Sequence, residues 1–583
     1  MSNQMSAQER KISEIFSLEH KEYVIPNYQR AYSWTSVQAE ALFDDILDAF
    51  INDYEEYFLG SIITIENRHN KFDIVDGQQR LITLSIFFLS LRNFINMKFS
   101  SQNIDDIKNK IIERITNRSM RNENHIPKIN VRTYDQHFYN SLIINGYNAL
   151  NYEDDNIPDS QKKMFKNYSV FYDKLEHLEF SLDRFIHLYE YIINNISMVM
   201  INTNNVESSF RIFDVLNSRG LALTTIDLLK SKIFEKVFLH CRERTKELEE
   251  KWALLENKIG LDNMNGFYIT HCLSKMTRNT LLFSNAVDNY EKRLDDTTYY
   301  KHNPLLMVED LIRSANNYYD FFNKDAFCHT ITQSLHIMSY ITKSTRKTSK
   351  NSPYNIWVPP LLALKNRMDE LNDPSDINME KFKDFLKIYE LFYMHMSLLK
   401  YNKAQIQNSY GNLIGYINNL EDFDKIKKEL LSLLKNKDVE EVLKKDFKTN
   451  TPSVSQVLKG LLLKLNFQGS DEKYILLDLS NITLEHILPQ KINNNYWRER
   501  YTERDHSVWV NKLGNFVLIN KSKNSSAQNS HFTNKKEVYK NQTNSIFPLT
   551  RQILENSDWS LTDINKRHIM MLDLCKKYLL QFK

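Results

Sequence analysis

Phe72-Asp-Ile-Val-Asp-Gly-Gln-Gln-Arg-Leu-Ile-Thr-Leu-Ser-Ile-Phe-Phe-Leu-Ser-Leu91 changes its period once, and that change sets the architecture of the first part of the chain. Phe72–Val75 is a short β-branched and aromatic run that reads as a strand. Gly77 permits a tight turn, and the residues after it, through Leu91, read as an apolar helix. Working outward, Glu22–Ile25 and Tyr57–Ile65 also read as strands. Thr35–Phe50 carries Val37, Ala41, Leu42, Ile46 and Phe50 at helical spacing. Ser197–Ile201 adds a strand, followed by helices over Val206–Leu216 and Thr225–His240. Residues 1–240 are therefore expected to form an α/β domain.

From Lys246 to Lys445 apolar and aromatic residues recur every three or four positions with few breakers, which predicts a helical middle domain over 241–454. Its aromatics read as core, not as a base-stacking platform. After Pro452 a further helix leads into a unit at 455–583, where Ile482–Leu484 and Phe516–Ile519 read as strands and Lys535–Lys540 as a helix. The fold class is mixed and mainly α. Only 11 Gly and 11 Pro occur in 583 residues, which agrees with long helices and excludes a loop-rich β protein. A hydrophobic fraction of 42% with 26% charged residues excludes wholesale disorder.

The four cysteines, Cys241, Cys272, Cys328 and Cys575, are too scattered for a zinc cluster or a disulfide framework and suit a reducing cytoplasm. Met1 to Arg10 is polar, so no N-terminal signal peptide is expected. Leu81–Leu91 is interrupted by Thr83, Ser85 and Ser90 and is too short to span a bilayer, so a soluble, cytoplasmic protein without a membrane partner is expected. The net charge of +3 is small, yet residues 481–583 hold sixteen Lys and Arg against nine Asp and Glu. That local excess suits a surface facing phosphates, although a basic tail that only aids solubility would look the same.

Within that basic region, Ile482-Thr-Leu-Glu-His-Ile-Leu-Pro-Gln490 ends a strand with an acid and a histidine. Leu513-Gly-Asn-Phe-Val-Leu-Ile-Asn520 follows, and Asn524 lies nine residues after Asn515. Cleaving a phosphodiester needs an activated water, a sink for negative charge and help for the departing oxygen. A histidine with a pKa near 6.5 can take the proton from water. A carboxylate and an amide oxygen can hold one hard cation such as Mg²⁺. The plainer alternative makes Glu485 and His486 a surface pair, Asn515 a turn residue and His531 a loop histidine.

The motif resembles the HNH, or ββα-metal, nuclease family. The resemblance implies His486 as general base, Glu485 and Asn524 as metal ligands, and Asn515 as the brace of the connecting loop. Glu stands where Asp or His is commoner, and the last ligand is Asn524 and not His, so Mg²⁺ or Mn²⁺ is implied over zinc. Lys535 and Lys536, on the following helix, are candidate DNA contacts or simply solvated charges.

The amino-terminal half carries a second cluster. Ile25-Pro-Asn-Tyr-Gln-Arg-Ala-Tyr-Ser-Trp34 ends a strand, and Asp73-Ile-Val-Asp-Gly-Gln-Gln-Arg80 opens a helix. A helix N-terminus presents free N–H groups to an anion, Arg30 and Arg80 can grip phosphate, and Asp76 could hold a phosphate-bound metal. These segments, with Gln29, Gly77, Gln78 and Gln79, resemble the ParB-like domain that opens GmrSD-type modification-dependent restriction enzymes. There the DGQQR turn handles a nucleoside triphosphate. Phe213 to Lys230 resembles that family's NSRG-x-x-L-x-x-x-D-L-x-K block, which adds Asn217, Arg219, Gly220, Asp227 and Lys230 as supporting residues. Read plainly, it is a helix, a Gly220 stop and a helix whose Thr224 and Asp227 have capping-box spacing.

The resemblance covers residues 1–240 and 455–583, and implies a nucleotide-dependent, Mg²⁺- or Mn²⁺-using type IV endonuclease that restricts modified foreign DNA in phage defence. One nuclease site per chain implies nicking, with a homo-oligomer or two events needed for a double-strand break. A non-catalytic, nucleotide-switched protein that binds DNA or a partner, and an RNA-cutting toxin, are the alternatives.

Overall fold

A helix that is apolar on every side has to be wrapped by other elements. Gln78–Lys98 is such a helix: Leu81, Leu84, Ile86, Phe88, Leu89 and Leu91 have no exposed surface in this computed structural model. The structure describes residues 6–27, 29–68, 70–118, 124–145, 157–203, 224–277, 285–296, 300–323, 325–343, 355–371, 375–419, 422–449, 451–467, 481–521, 529–540 and 547–582. They divide into two compact units, residues 1–265 with 298–309, and residues 266–297 with 310–583. The fold is mostly helical, with a mixed sheet near the amino terminus.

The sheet of the first unit has six strands: β1 (Ser6–Lys11), β2 (Glu22–Val24), β3 (Tyr57–Arg68), β4 (Lys71–Asp76), β5 (Ile129–Asn130) and β6 (Ile196–Thr203). Their order is β1-β6-β3-β4-β2-β5. β1 pairs antiparallel with β6 and β3 with β4, and the remaining pairs are parallel. The helices of this unit include α1 (Ser36–Ile51), α2 (Gln78–Lys98), α3 (Thr133–Asn145), α4 (Asp159–Glu176), α5 (Thr225–His240) and α6 (Thr245–Ile259). Thr35 and Gln38 form the capping box that starts α1 at Ser36, one residue after the expected Thr35.

The polar residues that interrupt α2 are buried with it, and each hydroxyl is hydrogen-bonded. Thr83 and Ser85 donate to the Gln79 and Leu81 carbonyls at 2.7 and 3.2 Å, and Ser90 donates to the Tyr168 carbonyl on α4 at 2.8 Å. Among the described residues no helix is long and apolar enough to cross a membrane. The expected helix at Val206–Leu216 lies outside the described residues.

In the second unit, α7 (His329–Lys343), α8 (Val358–Glu370), α9 (Ser375–Leu398), α10 (Lys403–Asn419) and α11 (Pro452–Phe467) precede a hairpin of β7 (Ile482–His486) and β8 (Phe516–Asn520). α12 (Phe532–Lys540) and α13 (Leu561–Leu579) follow it. Glu390 on α9 joins the helical and carboxy-terminal parts. Its buried carboxylate accepts from Ser334 on α7, from Lys464 on α11 at 2.8 Å and from the Tyr578 hydroxyl on α13 at 2.5 Å. Three donors offset the cost of taking that charge out of water.

α13 also sets the turn that feeds β8. Arg567 donates to the carbonyls of Gly514 and Phe516 at 2.5 and 3.0 Å, and the Gly514 N–H donates to His568 Nδ1 at 3.3 Å. A Cβ on Gly514 would lie 2.6 Å from the His568 backbone. Gly514→Ala is therefore expected to push α13 off the hairpin and lower stability by about 1–3 kcal/mol, as overpacked cores do. Thermal unfolding checks this, and an unchanged melting temperature would show that the helix is not held by this contact.

Candidate functional site

Two strand ends gather the residues singled out in the sequence. In the first unit, β4 ends at Asp76, Gly77 turns with φ of 91°, and α2 begins at Gln78. A Cβ on Gly77 would meet the Ser61 carbonyl at 3.1 Å, so the turn excludes side chains by conformation and by space.

Gln79 faces the loop that leaves β2. Its Oε1 accepts from the Ser33 and Trp34 N–H groups at 2.8 and 3.3 Å, and its Nε2 donates to the Ala31 carbonyl at 3.0 Å. Gln78 donates to the Arg30 carbonyl at 3.2 Å and to Gln29 Oε1 at 3.4 Å, while Gln29 Nε2 donates to the Val75 carbonyl at 2.8 Å. The three glutamines are buried and act first on the main chain around Arg30, so most of their amide groups are not directed at a ligand. The exception is Gln78 Oε1, which is buried without a hydrogen-bond partner among the described residues.

Arg80 donates to the Ser61 carbonyl at 3.0 Å, and its guanidinium lies 3.1 Å from where a Cβ on Gly60 would be. Burial pushes the Asp76 carboxyl above its usual range, against the Gly77 N–H and the charges of Arg80 and Arg30. Lys230, on α5, donates to the Gln29 carbonyl at 2.9 Å and pairs with Glu256 at 3.0 Å. Glu256 in turn binds Arg132 at 2.7 Å, and Arg132 binds Asp135 at 3.1 Å. Burial draws Lys230 down to about 8, while Arg132 and Lys230 together outweigh burial at Glu256 and hold it at about 2. Arg132 and Glu256 carry no signal in the sequence, because they lie 26 positions or more from Lys230 and share no motif with it. Asp227 caps α5 through Thr224, as its spacing suggests. Asn217, Arg219 and Gly220 lie outside the described residues.

In the second unit, β7 and β8 pair so that Glu485 faces Val517 and His486 faces Phe516. The His486 ring lies 4.6 Å from that of Phe516, centroid to centroid, and its Nε2 is 3.5 Å from the Gln490 amide nitrogen. Burial lowers His486 to about 4, with Lys535 and His506 acting in the same direction and the Asn511 side chain against them. The value near 6.5 expected from sequence belongs to a solvated ring. In the fold the ring is neutral near pH 7, fully available as a base but a weaker proton acceptor.

Asn515 is fully buried, and its amide is used on the chain leaving β7. It accepts from the Leu488 N–H at 2.7 Å and donates to the Leu488 and Val510 carbonyls at 2.8 and 2.9 Å. It shapes the site without facing a substrate. Lys535 corrects the expectation of a DNA contact: it has 0% exposure, and its ammonium lies 2.6 Å from Glu485 Oε1 and 2.6 Å from the His486 carbonyl. Burial pushes the Glu485 carboxyl up and the Lys535 ammonium down, and their mutual attraction works against both shifts. Lys536 donates to the Asn556 carbonyl at 2.6 Å. Asn524 lies outside the described residues. The chain after it is anchored by Asn494, which donates to the Asn529 carbonyl at 2.6 Å, and by Trp497, which donates to that of Ser530 at 3.1 Å.

Residues 12–234 match the model of the GmrSD restriction endonuclease N-terminal domain, and residues 437–574 match that of the GmrSD restriction endonuclease C-terminal domain, together more than half of the chain. The chain belongs to the GmrSD restriction endonuclease family. Both clusters fall inside the matched GmrSD segments, which makes DNA the substrate of the protein. No curated protein matches the chain.

The burial of His486 has a consequence for stability in this GmrSD chain. Unfolded, the imidazole takes a proton near 6.5, and folded only at about 4. The contribution is whole above about 6.5 and is lost as pH falls towards 4, because only the unfolded chain is then protonated. His271 and His395, lowered by burial to about 3 and 4, add to the same slope. His486→Phe is expected to make unfolding free energy less dependent on pH between about 4 and 6.5. An unchanged slope in denaturant titrations would place the ring in water.

Proposed function

We propose that this chain is a nucleotide-dependent endonuclease that nicks or restricts modified foreign DNA in phage defence, with His486 as the general base of a metal-assisted phosphodiester hydrolysis. The observation that carries the reading is the strand end itself. A neutral imidazole, held against Phe516, directly follows in the chain a carboxylate held by Lys535, within a segment matched to a restriction endonuclease domain.

Among the described residues no three His, Cys, Asp or Glu side chains gather into a metal site. The donor set still suits a hard ion, because Mg²⁺ keeps several waters and is held by one or two carboxylates together with substrate phosphates. Glu485 would supply the carboxylate and Asn524 an amide oxygen. Such an ion would supply positive charge to the scissile phosphate and the departing oxygen. His486 takes the proton of the attacking water, Phe516 packs against its ring, Lys535 holds its carbonyl, and Asn515 braces the chain at Leu488 just after it. The same scheme applies with Mn²⁺.

The first unit is proposed to bind, and to hydrolyse, a nucleoside triphosphate. Gly77 brings the main chain of the turn close to a phosphate, the N-terminus of α2 offers N–H donors, and Arg30 and Arg80 offer charge. The glutamines 29, 78 and 79 hold the Arg30 loop against that turn. Asp76 would hold a phosphate-bound metal. Cleavage by one site per chain gives nicks, and a homo-oligomer would give double-strand breaks.

His486→Ala should reduce cleavage of supercoiled DNA on the order of 10²-fold or more while the chain stays folded. Full cleavage by the folded variant would sink the assignment. Arg80→Ala should weaken triphosphate binding strongly in calorimetry, with DNA affinity unchanged; equal nucleotide affinity in both proteins would move the site elsewhere.

A further inference from the structure

The chain leaves β7 between two fixed points. On one side Asn515 takes the main chain, its carbonyl accepting from the Ile487 N–H at 3.0 Å and its side chain bonding both polar groups of Leu488. On the other side stands Lys535. It lies on the inward face of α12 with Phe532 and Tyr539, all three at 0% exposure. One ammonium thereby holds the Glu485 carboxylate and the His486 carbonyl, each at 2.6 Å.

A lysine on the buried face of a helix needs a reason. An apolar residue of the same length would fill the space without the cost of removing two charges from water, and replacing buried pairs by well-packed apolar groups is often neutral or stabilising. The surrounding core of Ile487, Leu488, Val517, Phe532 and Tyr539 is already apolar and would accept such a residue. What an apolar residue cannot do is fix the direction of a carboxylate and of the next residue's carbonyl at once. Those two residues are the ones that the nuclease reading uses.

We infer that Lys535 is a positioning residue of the nuclease site, setting the orientation of Glu485 and His486 by gripping the carboxylate of one and the main chain of the other. The inference rests on the reading of that strand end as the cleavage centre. Lys535 acts through those two residues and does not touch DNA.

The test uses the full chain, supercoiled plasmid DNA, Mg²⁺ and a mixture of ribonucleoside triphosphates. Lys535→Met keeps the packed stem and removes the charge. It is expected to stay folded by circular dichroism and to lower kcat about 10- to 100-fold, the usual cost of losing a group that orients a ligand, with KM for DNA little changed. Lys535→Ala opens room for a small cation, so n-butylammonium chloride should restore part of its kcat where equal tetramethylammonium chloride does not. A folded Lys535→Met chain with wild-type kcat overturns the inference. So does a Lys535→Met chain that fails to fold, which would make the ammonium a folding element, or a Lys535→Ala chain indifferent to the amine. His486→Ala run beside them separates the failures: full cutting by that variant removes the site itself, whereas an inactive His486→Ala with a fully active Lys535→Met removes only the role of Lys535.

Discussion

A main chain that leaves a strand inside a folded unit must find new partners for its N–H and C=O groups, since each one left bare costs about 1–3 kcal/mol. In both units a buried amide side chain meets that need. Gln79 receives two N–H groups and serves one carbonyl of the loop after β2, and Asn515 does the same work for the chain after β7. An amide carries a donor and an acceptor on one rigid plane, so it can hold a bend in one conformation where a hydroxyl would leave it freer. The proposed phosphate-gripping Arg30 and the proposed base His486 both lie within two residues of main chain fixed in this way.

Electrostatics is arranged on top of that constraint. Each unit buries lysine beside carboxylate: Lys230 with Glu256, and Lys535 with Glu485. In each, the ammonium also bonds a main-chain carbonyl of the clamped segment, Gln29 in one and His486 in the other. Such pairs are weak contributors to stability, because desolvation consumes most of the attraction. Their effect is directional. They fix where a segment lies, and the apolar packing of α2 and of the carboxy-terminal core supplies the stability.

Much of the fold is legible in the sequence. The period change at Gly77 locates β4 and α2, and the acid-histidine-proline run locates the end of β7, because local backbone preference and side-chain type decide both. β1 leaves no such signal. Its residues, Ser-Ala-Gln-Glu-Arg-Lys, are polar and mostly exposed, and it pairs along the sheet's edge through main-chain bonds that need no apolar pattern. β5 is only two residues long and equally silent. The glutamines look like ligand contacts in the sequence because motif spacing shows proximity, not direction. Lys535 looks like a surface charge for a related reason: Phe532, Lys535 and Tyr539 form one buried face only when the helix starts at Phe532, three residues before its apparent beginning. His486 shows the limit most clearly, since its residue type suggests a pKa near 6.5 and only the packing around it moves that to about 4.

The proposed cleavage chemistry turns on a half-buried, neutral His486 taking the proton from the attacking water. The most direct measurement is the single-turnover cleavage rate of the full chain from pH 5 to 8 at constant ionic strength and saturating Mg²⁺. A ring held at about 4 is almost wholly unprotonated across that range, so the rate should show no fall on the acid side around pH 6.5. A rate that halves near pH 6.5 as the solution becomes more acidic would show a solvated imidazole at work and contradict a base whose pKa the fold has lowered.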